Sequence, residues 1–141
     1  MFKLLRWSFL IITTVLIICW LFVFFIASGI NDATTYTQRN FISYYSLTDK
    51  DIRNTPRISD NYYFESNPGD GYAPSSTILF RKVSDVKPLR DYLSKLGYIK
   101  QKNSSGKAEI WTKPFREYGD LFYLQFDYSI GDVELIKELS D

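Results

Sequence analysis

The sequence predicts an α+β chain: one amino-terminal transmembrane helix, then a small domain whose antiparallel sheet of about five strands carries helices on one face. Three observations lead there. No charged residue occurs between Arg6 and Asp32. Beyond that run, short alternating or β-branched stretches are interleaved with stretches of helical period. The resulting order is helix, strand, strand, helix, strand, strand, strand, helix, which favours an α+β domain with antiparallel pairing.

The apolar run comes first. A helix rises about 1.5 Å per residue, so the apolar residues from Ser8 to Ser28 cover the roughly 30 Å hydrocarbon core of a bilayer. Lys3 and Arg6 precede it without an acid, which sets the amino terminus in the cytoplasm and residues 31–141 outside. A cleaved signal peptide has the same basic-then-apolar order and ends in small residues, here Ala27, Ser28 and Gly29. Its apolar core runs only about 7–15 residues, however, so the longer stretch from Phe9 to Ala27 favours a retained anchor. Cys19 does not fit a lipidation signal, because Ile18 precedes it and the apolar run continues past it. Trp7 stands where an interfacial aromatic anchor belongs.

These readings divide the chain into a cytoplasmic stub (1–7), the anchor (8–28), a juxtamembrane helix and linker (29–58) and an extracytoplasmic α+β domain (59–141). In the linker, Tyr36, Phe41, Tyr44 and Tyr45 recur on one helical face after Asn31 or Asp32 as cap, and Thr48 and Asp51 pair before a turn that Pro56 ends. Residues 61–66 and 77–83 read as strands around the turn cluster Asn67-Pro68-Gly69-Asp70-Gly71. A helix follows, capped by Ser84 or Asp85, with Pro88 in its first turn, Val86, Leu89, Leu93 and Leu96 as its apolar stripe, Asp91 paired with Lys95, and Gly97 as its stop. Residues 98–102 and 107–113 form a hairpin. From Leu121 to Ile130 strict alternation marks the strongest strand, and a closing helix from Asp132 turns Val133, Ile136 and Leu139 inward.

Composition excludes several chemistries. The chain has no histidine and its single cysteine lies in the apolar run, so histidine-dependent triads and extracytoplasmic cysteine nucleophiles are impossible, and zinc loses its two favoured ligands. Two of the 17 Lys and Arg precede the span, leaving the domain with 15 bases against 16 acids. That balance gives no electrostatic case for nucleic acid. Ser84-Asp85-Val86-Lys87 and Ser59-Asp60-Asn61 match two motifs of the penicillin-binding enzymes, but in reversed order and without the Lys-Thr-Gly strand. Asp49-Lys50-Asp51 fails as a calcium loop, because Arg53 stands where a further ligand is needed. No catalytic residue, metal ligand or cofactor is assigned.

The tyrosines carry the functional expectation. All 11 lie beyond residue 30, and Tyr is favoured at protein contacts. Tyr62, Tyr63, Tyr72, Tyr118 and Tyr123 are the candidate binding residues. The expected function is a non-catalytic, membrane-anchored periplasmic domain of the bacterial inner membrane that binds another envelope or periplasmic protein, either as an immunity protein or as an accessory subunit of an envelope complex. The lipid bilayer is its other partner, through the anchor. The alternative is a small cell-wall-active enzyme using two of Asp60, Glu65, Asp70, Glu109, Glu117, Asp120 and Asp127.

Overall fold

The computed structural model describes residues 1–29, 33–69, 71–102, 108–115 and 119–140. The chain divides into two compact units, residues 1–32 and 33–141. The first is α1 (Phe2–Gly29), whose stretch Arg6–Phe24 is long and apolar enough to cross a membrane or to serve as a signal sequence. Its polar side chains are satisfied locally: the hydroxyls of Thr13 and Thr14 donate to the carbonyls of Phe9 and Leu10, each at 2.8 Å.

The second unit holds a seven-stranded antiparallel sheet rather than one of about five strands. Its strands are β1 (Thr34–Tyr36), β2 (Tyr62–Asn67), β3 (Ser75–Phe80), β4 (Ile99–Lys100), β5 (Ala108–Thr112), β6 (Leu121–Asp127) and β7 (Asp132–Glu138), in the order β1-β2-β3-β7-β6-β5-β4. The helices are α2 (Phe41–Leu47), α3 (Lys50–Arg53) and α4 (Lys87–Lys95).

Two of the added strands correct helix expectations. Residues 132–138 form β7, paired on both sides by β3 and β6. The spacing of Val133 and Ile136 suits a helix, but Val133, Leu135 and Lys137 alternate inward, and the buried lysine hides that period from a hydropathy reading. The expected juxtamembrane helix is instead β1 followed by α2. Thr34, Thr35 and Tyr36 have strand-forming side chains, and the cap is Asn40, whose Oδ1 accepts from the Ser43 amide at 3.4 Å. Segment 33–58 thus belongs to the compact unit, with Tyr36, Tyr44 and Ile52 in its core.

Smaller differences follow from turn chemistry. Asp49, not Thr48, caps α3, accepting from the Asp51 amide at 2.8 Å. At α4 the N-cap is Val86, without a side-chain cap, in place of Ser84 or Asp85; Asp85 Oδ1 accepts from the Lys87 amide at 2.8 Å just before the helix, and the ion pair on the helix is Lys87–Asp91 at 2.6 Å. Gly97 ends that region at φ +87°, a conformation that suits glycine. β6 stops at Asp127, whose carboxylate accepts from the Ser129 amide, and Gly131 closes the turn at φ +74°. Tyr128 and Ile130 therefore leave the strand and are exposed. The tip of the 98–113 hairpin, residues 103–107, lies outside the described residues.

Register sorts the side chains into two faces. Tyr36, Phe64, Ile78, Leu135, Leu124 and Glu109 stand in one row across six strands, flanked by the rows Tyr62-Phe80-Val133-Phe126 and Ser66-Ser76-Lys137-Phe122-Trp111. This face meets the helices, and Ile52, Val86, Leu89 and Leu93 complete the core with it. Aromatic contacts bind its β1–β2 end: Tyr36 stacks on Phe64 at 6.0 Å and Tyr44 meets the same ring edge-on at 5.1 Å. Leu135 is fully buried on the central strand. Leu135→Ala is expected to cost about 3 kcal/mol of unfolding free energy, read from urea denaturation, through lost transfer energy and a cavity flanked by both neighbouring strands.

Candidate functional site

The other face of the sheet has no helix in its register rows. Its middle row is Thr35-Glu65-Thr77-Ile136-Tyr123-Ile110, with Tyr63-Leu79-Glu134-Gln125-Ala108 on one side and Asn67-Ser75-Glu138-Leu121 on the other. Tyr63, Leu79, Ile136, Tyr123 and Ile110 are half-buried, and Thr77 among them is buried. Every ionisable strand residue in these rows that carries charge at neutral pH is an acid: Glu65, Glu134 and Glu138. Arg81, just past β3, lies over the Tyr63 ring at 5.6 Å.

The five candidate tyrosines separate. Tyr63 and Tyr123 share this open face without meeting: Tyr63, on β2, stands in the row of Glu134 two strands away, and Tyr123, on β6, pairs directly with Ile136 of β7. Tyr62 lies on the covered face, where its hydroxyl donates to Gln38 Oε1 at 2.8 Å and the Arg57 guanidinium sits 4.9 Å from its ring. Tyr72 is exposed in the β2–β3 loop, away from the strand rows. Tyr118 lies outside the described residues.

The face has its own electrostatics. Burial raises the Glu134 pKa above the ordinary carboxylate value, and the negative charges of Glu65 and Asp132 push it further in the same direction. Burial likewise raises Tyr123, whose hydroxyl donates to the Glu138 carboxylate. Where β6 meets β7 the surface dips into an open depression of about 280 Å³ bordered by Gln125, Phe126, Asp127, Asp132 and Glu134.

The remaining acids named from sequence are engaged elsewhere. Glu109 is buried among cations: Arg90 donates to it through Nε at 3.1 Å and Nη2 at 2.7 Å, Lys100 at 2.8 Å and the Trp111 indole at 3.2 Å. Burial alone would raise its pKa, but these bonds and charges outweigh burial and lower it. Asp120 joins Asp49 and Asp51 around Lys137, whose buried Nζ is 3.0, 3.0 and 2.8 Å from their carboxylates. Burial opposes the charge on Lys137, yet the hydrogen bonds from Asp51, Asp49 and Asp120 raise its pKa. Beside this cluster a cleft of about 230 Å³ is lined by Asp51, Tyr98, Thr112, Lys113 and Asp120. Asp60 is exposed, and Asp70 and Glu117 lie outside the described residues.

Sequence reasoning missed Glu134, Glu138 and Lys137 as notable groups, because all three fall in the segment read as a helix. The alternation of Asp132, Glu134, Ile136 and Glu138 was the available signal. Comparison with known proteins finds no match, whether to a family model, a curated protein or a solved structure.

Two outcomes follow from the charges. Lys137→Met leaves three carboxylates without their cation and is expected to cost about 3 kcal/mol or more in denaturant unfolding, since removing one partner of a buried cluster strands the others. Glu134 behaves oppositely. Its folded-state pKa is raised, so the stability it contributes is present below the unfolded value and lost as pH rises through the folded one. Glu134→Gln should therefore raise the urea midpoint at pH 7, and the gain should vanish below the ordinary glutamate range.

Proposed function

We propose that this chain is a single-pass protein of the bacterial inner membrane, amino terminus in the cytoplasm, whose periplasmic domain binds another envelope protein through the open sheet face without catalysis. An immunity protein and an accessory subunit of an envelope complex are its two concrete forms. The observation that carries the reading is the open face itself: half-buried Tyr63, Tyr123, Leu79 and Ile136 surrounded by Glu65, Glu134 and Glu138. Aromatic rings with a polar rim are the usual anatomy of a protein contact. Tethering by α1 confines the domain to the layer where such a partner acts and raises its local concentration.

One observation favours the alternative, a carboxylate enzyme acting on cell-wall glycan. Glu134 has the raised pKa of a general acid and lies with Asp132 at the same depression. Asp127, paired with Asp132 from β6, borders the same depression, but its carboxylate accepts from the Ser129 amide and hydroxyl and serves the β6–β7 turn, whereas glycoside cleavage needs two carboxyls free to flank the scissile bond. Binding is the better reading of the geometry.

The deciding experiment purifies the full-length chain from its native membrane and identifies co-purifying proteins by mass spectrometry. A single envelope partner is expected, recovered at least tenfold less well by Tyr63→Ala/Tyr123→Ala, with the far-UV spectrum unchanged. Cleavage of wall fragments by the purified chain, abolished by Glu134→Gln, would instead establish the enzyme.

A further inference from the structure

The most concentrated exposed apolar surface of the domain lies on α2, away from the open sheet rows. Phe41 is 68% exposed, Ile42 80%, Tyr45 55% and Leu47 42%, while Tyr44 alone of this helix is buried. Phe41 and Tyr45, one turn apart, pack ring to ring at 4.5 Å, so they form one continuous surface. Its border is basic. Arg39 precedes the helix, Lys50 is exposed, and Arg53 sits over the Tyr45 ring at 5.4 Å. Lys50, Arg53 and Tyr45 also share a shallow depression. The acids that flank Lys50 in the chain, Asp49 and Asp51, are committed to Lys137.

We propose that α2 seats this aromatic face in the headgroup layer of an anionic bilayer, with Arg39, Lys50 and Arg53 against the lipid phosphates. Three features select a lipid surface over a protein. Aromatic rings with an apolar body and a polar edge are enriched at membrane interfaces, and each Lys or Arg near an anionic surface adds roughly 1 kcal/mol of attraction. The charge on this patch is opposite to that of the open sheet face. In the sequence α2 is the first helix after α1, separated from it by residues 30–40, so the segment proposed to meet lipid follows closely on the proposed anchor. The inference rests on the anchor of the proposed function and assigns a second, peripheral contact to it.

The test uses the full-length chain with Cys19→Ser, its only cysteine removed, and a single new cysteine labelled with an environment-sensitive fluorophore. Ser46→Cys places the label on α2, where Ser46 bonds back to the Ile42 carbonyl, and Gln125→Cys places it on the open sheet face. Both chains are reconstituted in vesicles of phosphatidylglycerol and phosphatidylethanolamine containing lipids spin-labelled near the headgroup. The label at 46 is expected to be quenched several-fold more strongly than that at 125. Phe41→Ser/Ile42→Ser should abolish the difference, and Lys50→Glu/Arg53→Glu or purely zwitterionic vesicles should reduce it. Equal quenching at the two positions, in chain that resists an alkaline wash, would overturn the α2 assignment alone, as would be found if α2 met a protein. Chain stripped from the vesicles by that wash would overturn the anchor and the inference with it.

Discussion

Lys137 presents an unusual demand: an ammonium group on the central strand of the sheet, on the face where its neighbours are Phe122 and Ser76, must be kept ionised while almost completely removed from water. Only carboxylates in direct contact can meet that demand, and they come from two distant parts of the sequence, the cap of α3 and the residue before β6. Asp49 serves twice, capping α3 with the same oxygen that accepts from Lys137. The position of α3 over the sheet is thereby fixed by charge as well as by the burial of Ile52. Exchanging such a cluster for apolar residues can leave stability unchanged, so its distinctive contribution here is to fix which segments meet.

Glu109 repeats the arrangement with reversed sign at the far side of the sheet, an acid enclosed by Arg90, Lys100 and Trp111. Together the two clusters place ionic contacts at separate positions on the covered face, with only Phe122 and Leu124 of β6 between their strands. The open face has no such compensation. Burial and the negative charges of Glu65 and Asp132 disfavour the charged form of Glu134 there, and Tyr63 and Tyr123 keep only part of their surface from water.

Much of this was legible from residue order. The apolar helix, the α+β class, α4 with Pro88 at its start and Gly97 after it, and the 98–113 hairpin all follow from local periodicity and turn chemistry. What local reasoning could not see was decided by pairing. Val133, Ile136 and Leu139 fit a helical stripe as well as a strand until β3 and β6 occupy both sides of the segment. Thr34 to Tyr36 is too short to register as a strand unless β2 is there to receive it. The faces of Tyr62 and Tyr63 turn on a one-residue difference in register, which the sequence does not specify by itself. Exposure of α2 is likewise a tertiary fact: Phe41 and Tyr44, placed on one helical face by their spacing, are exposed and buried respectively.

The sheet order has a consequence for biogenesis. β7, the last strand in sequence, lies in the middle, and every ladder between the β1-β2-β3 half and the β6-β5-β4 half passes through it. A polypeptide delivered amino end first therefore emerges as two partial sheets with no hydrogen bonds joining them, each with an unpaired edge strand exposed. Residues 132–138 must arrive before those edges are sealed. Premature termination a few codons upstream would leave two partial sheets with open edges rather than a slightly shortened domain.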